Sequence, residues 1–139
     1  MTFYTIGYGG RSPHDFLALL IEHGVRAVVD VRLRPDKASM GSFSRARTAD
    51  KGLEKLLADQ GISYHPILEL GNLFLELDDW RPAYRELLRQ SAELLVTRLD
   101  GLPEPFCLLC AEKRAADCHR QMIADHLVRT RGWTVRHIE

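Results

Sequence analysis

Strand-like and helix-like stretches alternate along this chain from end to end, and that alternation constrains the fold more than any other feature. Thr2 to Ile6 reads as a strand and runs into Gly7-Tyr8-Gly9-Gly10. Ser12 then supplies an N-cap, with Pro13 at the first helical position and Asp15 three residues after the cap. Phe16, Leu17, Leu19, Leu20 and His23 form a stripe that Gly24 ends. Val25 to Val31 is a β-branched run suited to a central strand. A helix through Leu53, Leu56 and Leu57, a strand from Ile62 to Ile67 and a long helix opened by Pro82 follow. That helix has its stripe at Tyr84, Leu87, Leu88, Leu94 and Leu95. The strand Phe106 to Cys110, a helix carrying Met122, Ile123, His126 and Leu127, and a strand Trp133 to Ile138 complete the pattern. Five strands with four helical crossovers predict a three-layer α/β fold, Rossmann-like, with a mostly parallel five-stranded sheet and helices on both faces. Residues 1–139 read as a single domain. The irregular stretch from Leu68 to Asp79 is expected to pack its leucines down as a cover.

In sheets of this kind ligands sit outside the carboxyl ends of the strands. Those ends are Gly7 to Arg11, Asp30-Val31-Arg32, His65 to Glu69, and Cys110-Ala111-Glu112. The residues that look chemically unusual therefore fall on one rim. The densest group runs from Cys110 to Arg120, where Asp117 is expected to N-cap a helix starting at Cys118-His119-Arg120.

Thr5-Ile6-Gly7-Tyr8-Gly9-Gly10-Arg11-Ser12, Asp30-Val31-Arg32, Glu69-Leu70-Gly71, and Cys110-Ala111-Glu112-Lys113 followed by Cys118-His119-Arg120 together carry a resemblance. In order and over essentially the whole chain, they resemble the domain of unknown function 488 family. The resemblance implies a cytoplasmic bacterial or archaeal α/β domain with hallmark positions at Cys110, Glu112, Cys118, His119 and Arg120. It implies no particular reaction.

The residues themselves suggest two chemistries. In the first, the chain is an enzyme acting on a phosphate or nucleotide-like ligand. Cys110 or His119 does nucleophilic or acid–base work, and Glu112 or Glu69 orients it. Arg11, Arg32, Arg120 and the amide of Cys118 bind the anion, and the carboxylate of Glu69 acts as a base or binds a sugar hydroxyl of the substrate. Thiol-phosphatase and rhodanese cradles place four or five residues between their cysteine and the arginine that follows it. Here three residues separate Cys110 from Arg114 and nine separate it from Arg120, so that register is absent. Zinc sites favour cysteines two to four residues apart, whereas seven lie between Cys110 and Cys118. Cys107 and Cys110 point to opposite faces of a strand, and no metal is assigned. Gly7-x-Gly9-Gly10-x-Ser12 lacks the third small residue of the dinucleotide fingerprint, which leaves the cofactor open.

In the second, the chain is a non-catalytic module that binds nucleic acid or a protein through residues 32–51. Net formal charge is zero, so no global field favours nucleic acid or membrane. Between Arg32 and Lys51, however, Arg32, Arg34, Lys37, Arg45, Arg47 and Lys51 face only Asp36 and Asp50. Three cysteines, an odd number, argue for reduced thiols and against a disulfide framework. The chain opens on a strand rather than a leader, and no apolar run approaches a membrane span, so a cytoplasmic location is expected.

Overall fold

The computed structural model describes residues 1–38 and 40–139; Ser39, within the basic segment, lies outside the described residues. Its strands are β1 (Thr2–Gly7), β2 (Ala27–Asp30), β3 (Ser63–Pro66), β4 (Phe106–Cys110) and β5 (Thr134–Ile138). Its α-helices are α1 (Pro13–Glu22), α2 (Gly52–Ala58), α3 (Arg81–Val96) and α4 (Arg120–Arg131). The strands form one sheet in the order β3-β2-β4-β1-β5, and every pairing is parallel. The central strands β2 and β4 are buried at every position, which is why β4 reads as an unbroken apolar run and β2 as one that ends only at Asp30.

Each face of the sheet carries two helices. Phe16 and Leu20 of α1 and Leu53 and Leu57 of α2 pack with Ile6, Val28, Cys107 and Leu109. On the other face, Tyr84 and Leu88 of α3 and Ile123 and Leu127 of α4 pack with Phe3, Val29, Leu108 and Cys110. Cys107 and Cys110 thus belong to opposite cores, as strand alternation requires. The α3 stripe differs by one position. Leu88, Ala92 and Leu95 follow the buried face, and Leu94 points to solvent.

This strand order places the site. The connections through α1 and α2 carry the chain toward the β3 edge, and those through α3 and α4 carry it toward β5. Neighbouring strands β2 and β4 therefore send their connections in opposite directions, and a crevice opens between their carboxyl ends. The first loop closes one side of it. A Cβ on Gly7 would overlap the Glu112 carbonyl, so only glycine lets β1 lie against the loop after β4.

The stretch from Leu68 to Asp79 departs from expectation. Leu70 is buried, but Leu73, Leu75 and Leu77 are exposed, Leu75 by 67%. The segment is fastened at one end instead of lying flat. The Tyr84 hydroxyl donates to the Leu70 carbonyl, and at Gly71 a Cβ would stand 2.5 Å from Leu33 Cα. Beyond that pin Leu75 lines the crevice. Among the described residues, no helix is long and apolar enough to cross a membrane.

Candidate functional site

The crevice between the ends of β2 and β4 is a cleft of about 250 Å³. Tyr8, Arg32, Asn72, Trp80, Cys110, Glu112, Cys118 and His119 are among the residues that line it. Four different connections contribute, as the topology requires of a switch-point site.

Arg32 is held from behind. Its backbone N–H and Nε donate to Asp30 Oδ1 (3.1 and 2.9 Å), and its Nη2 donates to Asp30 Oδ2 (2.8 Å). The Tyr64 hydroxyl donates to the same Oδ2 at 2.6 Å, which fills the carboxylate. Burial opposes the Arg32 charge. The Asp30 hydrogen bonds and charge offset it, and the guanidinium is held above its ordinary pKa. Burial, reinforced by the Asp30 charge, pushes the Tyr64 phenol up in turn, so it remains a donor. The guanidinium also lies over the Tyr8 ring, 5.3 Å from its centroid. This leaves Nη1 unused, although the side chain is only 6% exposed.

Asn72 makes a matching arrangement from the next connection. Its Oδ1 accepts from the Phe74 amide at 2.9 Å, an Asx turn that fixes the side-chain amide. Nδ2 has no partner, and the residue is 2% exposed. Among the described residues, Arg32 Nη1 and Asn72 Nδ2 are the two buried side-chain nitrogen or oxygen atoms without a hydrogen-bond partner. Both residues line the same cleft, and both free atoms are donors.

The sulfur-bearing wall lies opposite. His119 donates from Nε2 to the Val31 carbonyl (2.7 Å), because a carbonyl can only accept. Nδ1 is therefore the unprotonated nitrogen of the neutral ring, and it faces Cys118 Sγ at 3.6 Å. Burial, aided by the nearby Arg120 charge, lowers the His119 pKa to about 4 despite the bond to Val31. The ring packs edge-on against Tyr84, with centroids 5.1 Å apart. The sulfurs of Cys110 and Cys118 are joined, which corrects the expectation of three reduced, unpaired thiols. The odd cysteine count argues against any pairing, yet two of the three pair and Cys107 is left over. The end of β4 and the turn before α4 meet there, and both cysteines line the cleft.

Cys110, Glu112, Cys118, His119 and Arg32 are thus brought together, and three other expected site residues are not. Arg120 is fully buried, and its donors are spent on Thr5 Oγ1 (3.2 Å), Cys110 Sγ (3.0 Å) and the carbonyls of Glu112 and Lys113. It braces the loop after β4 and offers nothing to a ligand in the cleft. Arg11 turns to the carbonyls of Gly7, Ile138 and Glu139, tying β1 to β5. Glu69 points outward and pairs with Arg98.

The expected helix start is also revised. A 3₁₀ turn spans Ala115–Asp117, Cys118 is extended, and α4 begins at Arg120 with His119, not Asp117, at its N-cap. The Cys118 amide donates to the Ala115 carbonyl (3.0 Å), and the Arg120 amide donates to Cys118 Sγ (3.4 Å). Two of the amides expected to greet an anion are therefore used internally. In the basic segment, Arg32 points inward and Arg34 pairs with Asp36 at 2.9 Å, while Arg45, Arg47 and Lys51 remain exposed.

Sequence reasoning missed Asn72 and Trp80. The available signal was position. Asn72 directly follows Glu69-Leu70-Gly71, and the close approach at Gly71 delivers it to the cleft. A wider groove of about 600 Å³ lies between α3 and α4, but neither unpartnered donor lines it. Among the described residues, no cluster of three or more His, Cys, Asp and Glu side chains is arranged to hold a metal.

Fold and site together define a parallel α/β domain with a donor-lined cleft at its strand switch point. A family model described as Domain of unknown function DUF488 matches residues 12–127, and the chain belongs to that family. No curated protein and no solved structure matches it.

Proposed function

We propose that the domain binds the anionic head of a small phosphorylated or nucleotide-like molecule in the cleft between β2 and β4. One observation carries this reading. Arg32 and Asn72 both line this cleft, and each carries a buried donor, Nη1 and Nδ2, that has no acceptor. A buried unsatisfied donor costs about 1–3 kcal/mol, more for a charged group, and a ligand oxygen supplied to both recovers that cost. Asp30 fixes the Arg32 fork before the ligand arrives, so little side-chain entropy is lost on binding. The cleft is smaller than the roughly 300–1,000 Å³ typical of sites that enclose a whole drug-sized ligand. It suits a head group, with the remainder of the molecule lying against Leu75, Leu33 and Trp80 at its mouth.

Trp80 supplies the readout. Titration with inorganic phosphate and with a nucleoside monophosphate at constant ionic strength, followed by tryptophan fluorescence and thermal melting, should saturate in the native protein. Asn72→Asp should weaken that response at least about tenfold, because it replaces the donor with a carboxylate. A non-saturating response, or one that Asn72→Asp leaves intact, overturns the reading. Steeply salt-dependent binding of nucleic acid that survives Asn72→Asp but is lost on charge reversal at Arg45 and Arg47 would favour the basic segment instead.

A further inference from the structure

Cys110 and Cys118 stand in an environment that sets them apart from Cys107. Cys107 is fully enclosed in the opposite core, and burial pushes its thiol pKa up, so it stays protonated and inert. Cys110 and Cys118 line the cleft. Arg120 reaches both. Its Nη1 donates to Cys110 Sγ at 3.0 Å, and its backbone N–H donates to Cys118 Sγ at 3.4 Å. A guanidinium donor at that distance favours the thiolate over the thiol. Beside Cys118 the unprotonated His119 Nδ1 is placed to accept a proton.

We propose that Cys110 and Cys118 are a redox couple that reduces a small hydroperoxide entering the cleft. The Cys110 thiolate attacks the terminal peroxide oxygen. The S–O bond forms, the O–O bond breaks, and the alkoxide leaves with a proton as the alcohol. Cys110 is then a sulfenic acid. The Cys118 sulfur attacks it, its proton passing by way of His119 Nδ1 to the departing hydroxide, and water leaves as the S–S bond closes. Two electrons pass from the sulfur pair to the peroxide, and the joined sulfurs of the structure are the oxidised state. The couple shares the cleft with the anion site but needs neither Arg32 nor Asn72.

The test uses fully reduced protein and hydrogen peroxide at neutral pH, read by intact mass and by peptide mapping after alkylation. The native chain should lose the mass of two hydrogens, yield a Cys110–Cys118 linked peptide and keep Cys107 alkylatable. Cys118→Ser should stop at a sulfenic acid on Cys110 that a dimedone probe traps, and Cys110→Ser should form neither product. The rate for the native chain should exceed that of free cysteine by at least about tenfold, because an ordinary thiol with a pKa near 8.5 is only a few per cent ionised at pH 7. The peroxide reaction is run without phosphate, so its outcome is read independently of whether the anion site binds. Three alkylatable cysteines after peroxide treatment, a linkage through Cys107, or a rate no faster than free cysteine would each overturn the proposal. Mapping of the native chain decides the matter even where a serine variant folds poorly.

Discussion

Two buried arginines stand at the carboxyl rim of the sheet, and they are employed in opposite ways. Arg120 is closed. A hydroxyl, a sulfur and two carbonyls take its hydrogen bonds, and no carboxylate pairs with it. Burial lowers its pKa accordingly. Arg32 is open. One carboxylate grips two of its nitrogens, and the third is left without a partner in a residue that lines the cleft. The first arginine satisfies the protein, and the second is satisfied only in part. Burial alone therefore does not mark a functional cation. The count of unanswered donors does.

The largest effect should come from the closed arginine. Arg120→Ala strips partners from the Glu112 and Lys113 carbonyls and from Thr5, and leaves a cavity under the loop after β4. The expected loss is about 3–5 kcal/mol in denaturant unfolding. Arg120→Lys should recover little of it, since a single ammonium cannot span partners set for a planar fork. A loss under about 1 kcal/mol would mean that Arg120 is not the brace its contacts describe.

That contrast also explains what was legible in the sequence. Element order and type were readable because each strand and helix carries its own signal in period, cap and stop. Ser12, for example, accepts from the Asp15 amide at 3.1 Å, as its spacing implied. The rim was readable as well, since topology alone sends Arg32, Cys110 and Glu112 to one edge. The division of labour among the rim arginines was not. Arg11, Arg32 and Arg120 look alike as letters, and their roles depend on which backbone carbonyls come within reach after folding. Asn72 was invisible for a related reason. Its importance comes from the Gly71–Leu33 approach, a contact between connections that no local pattern encodes.

His119 tests the wall between the two arginines. Its pKa is about 4 in the fold, below the ordinary 6.5. Between those values the unfolded chain binds a proton that the folded chain refuses, so stability rises with pH across this window. The contribution is fully present above about pH 6.5 and lost on acidification toward pH 4. The difference amounts to at most about 3 kcal/mol at 1.36 kcal/mol per unit. Urea midpoints from pH 7.5 to 4 should therefore fall more steeply for the native chain than for His119→Gln, which has no titrating ring. Parallel curves would show that the Val31 bond does not hold the ring neutral.

The smallest effects on stability should come from the open arginine and its neighbour, and there binding and stability part company. Arg32→Lys keeps a cation beside Asp30 but loses the bidentate grip, at an expected cost of about 1–2 kcal/mol. Asn72→Asp should cost less than about 1 kcal/mol. Its retained oxygen can still accept from the Phe74 amide, and the new carboxylate stands in a cleft that already holds the Arg32 cation. If the two donors are left bare for a ligand, the unliganded Asn72→Asp protein should match the native melting temperature or exceed it, while stabilisation by phosphate disappears. A structural role for Asn72 predicts the reverse, a destabilised protein that phosphate still protects. Melting both proteins with and without phosphate separates these outcomes, because a site built for an absent ligand improves in stability when it is filled from within and loses its function in the same step.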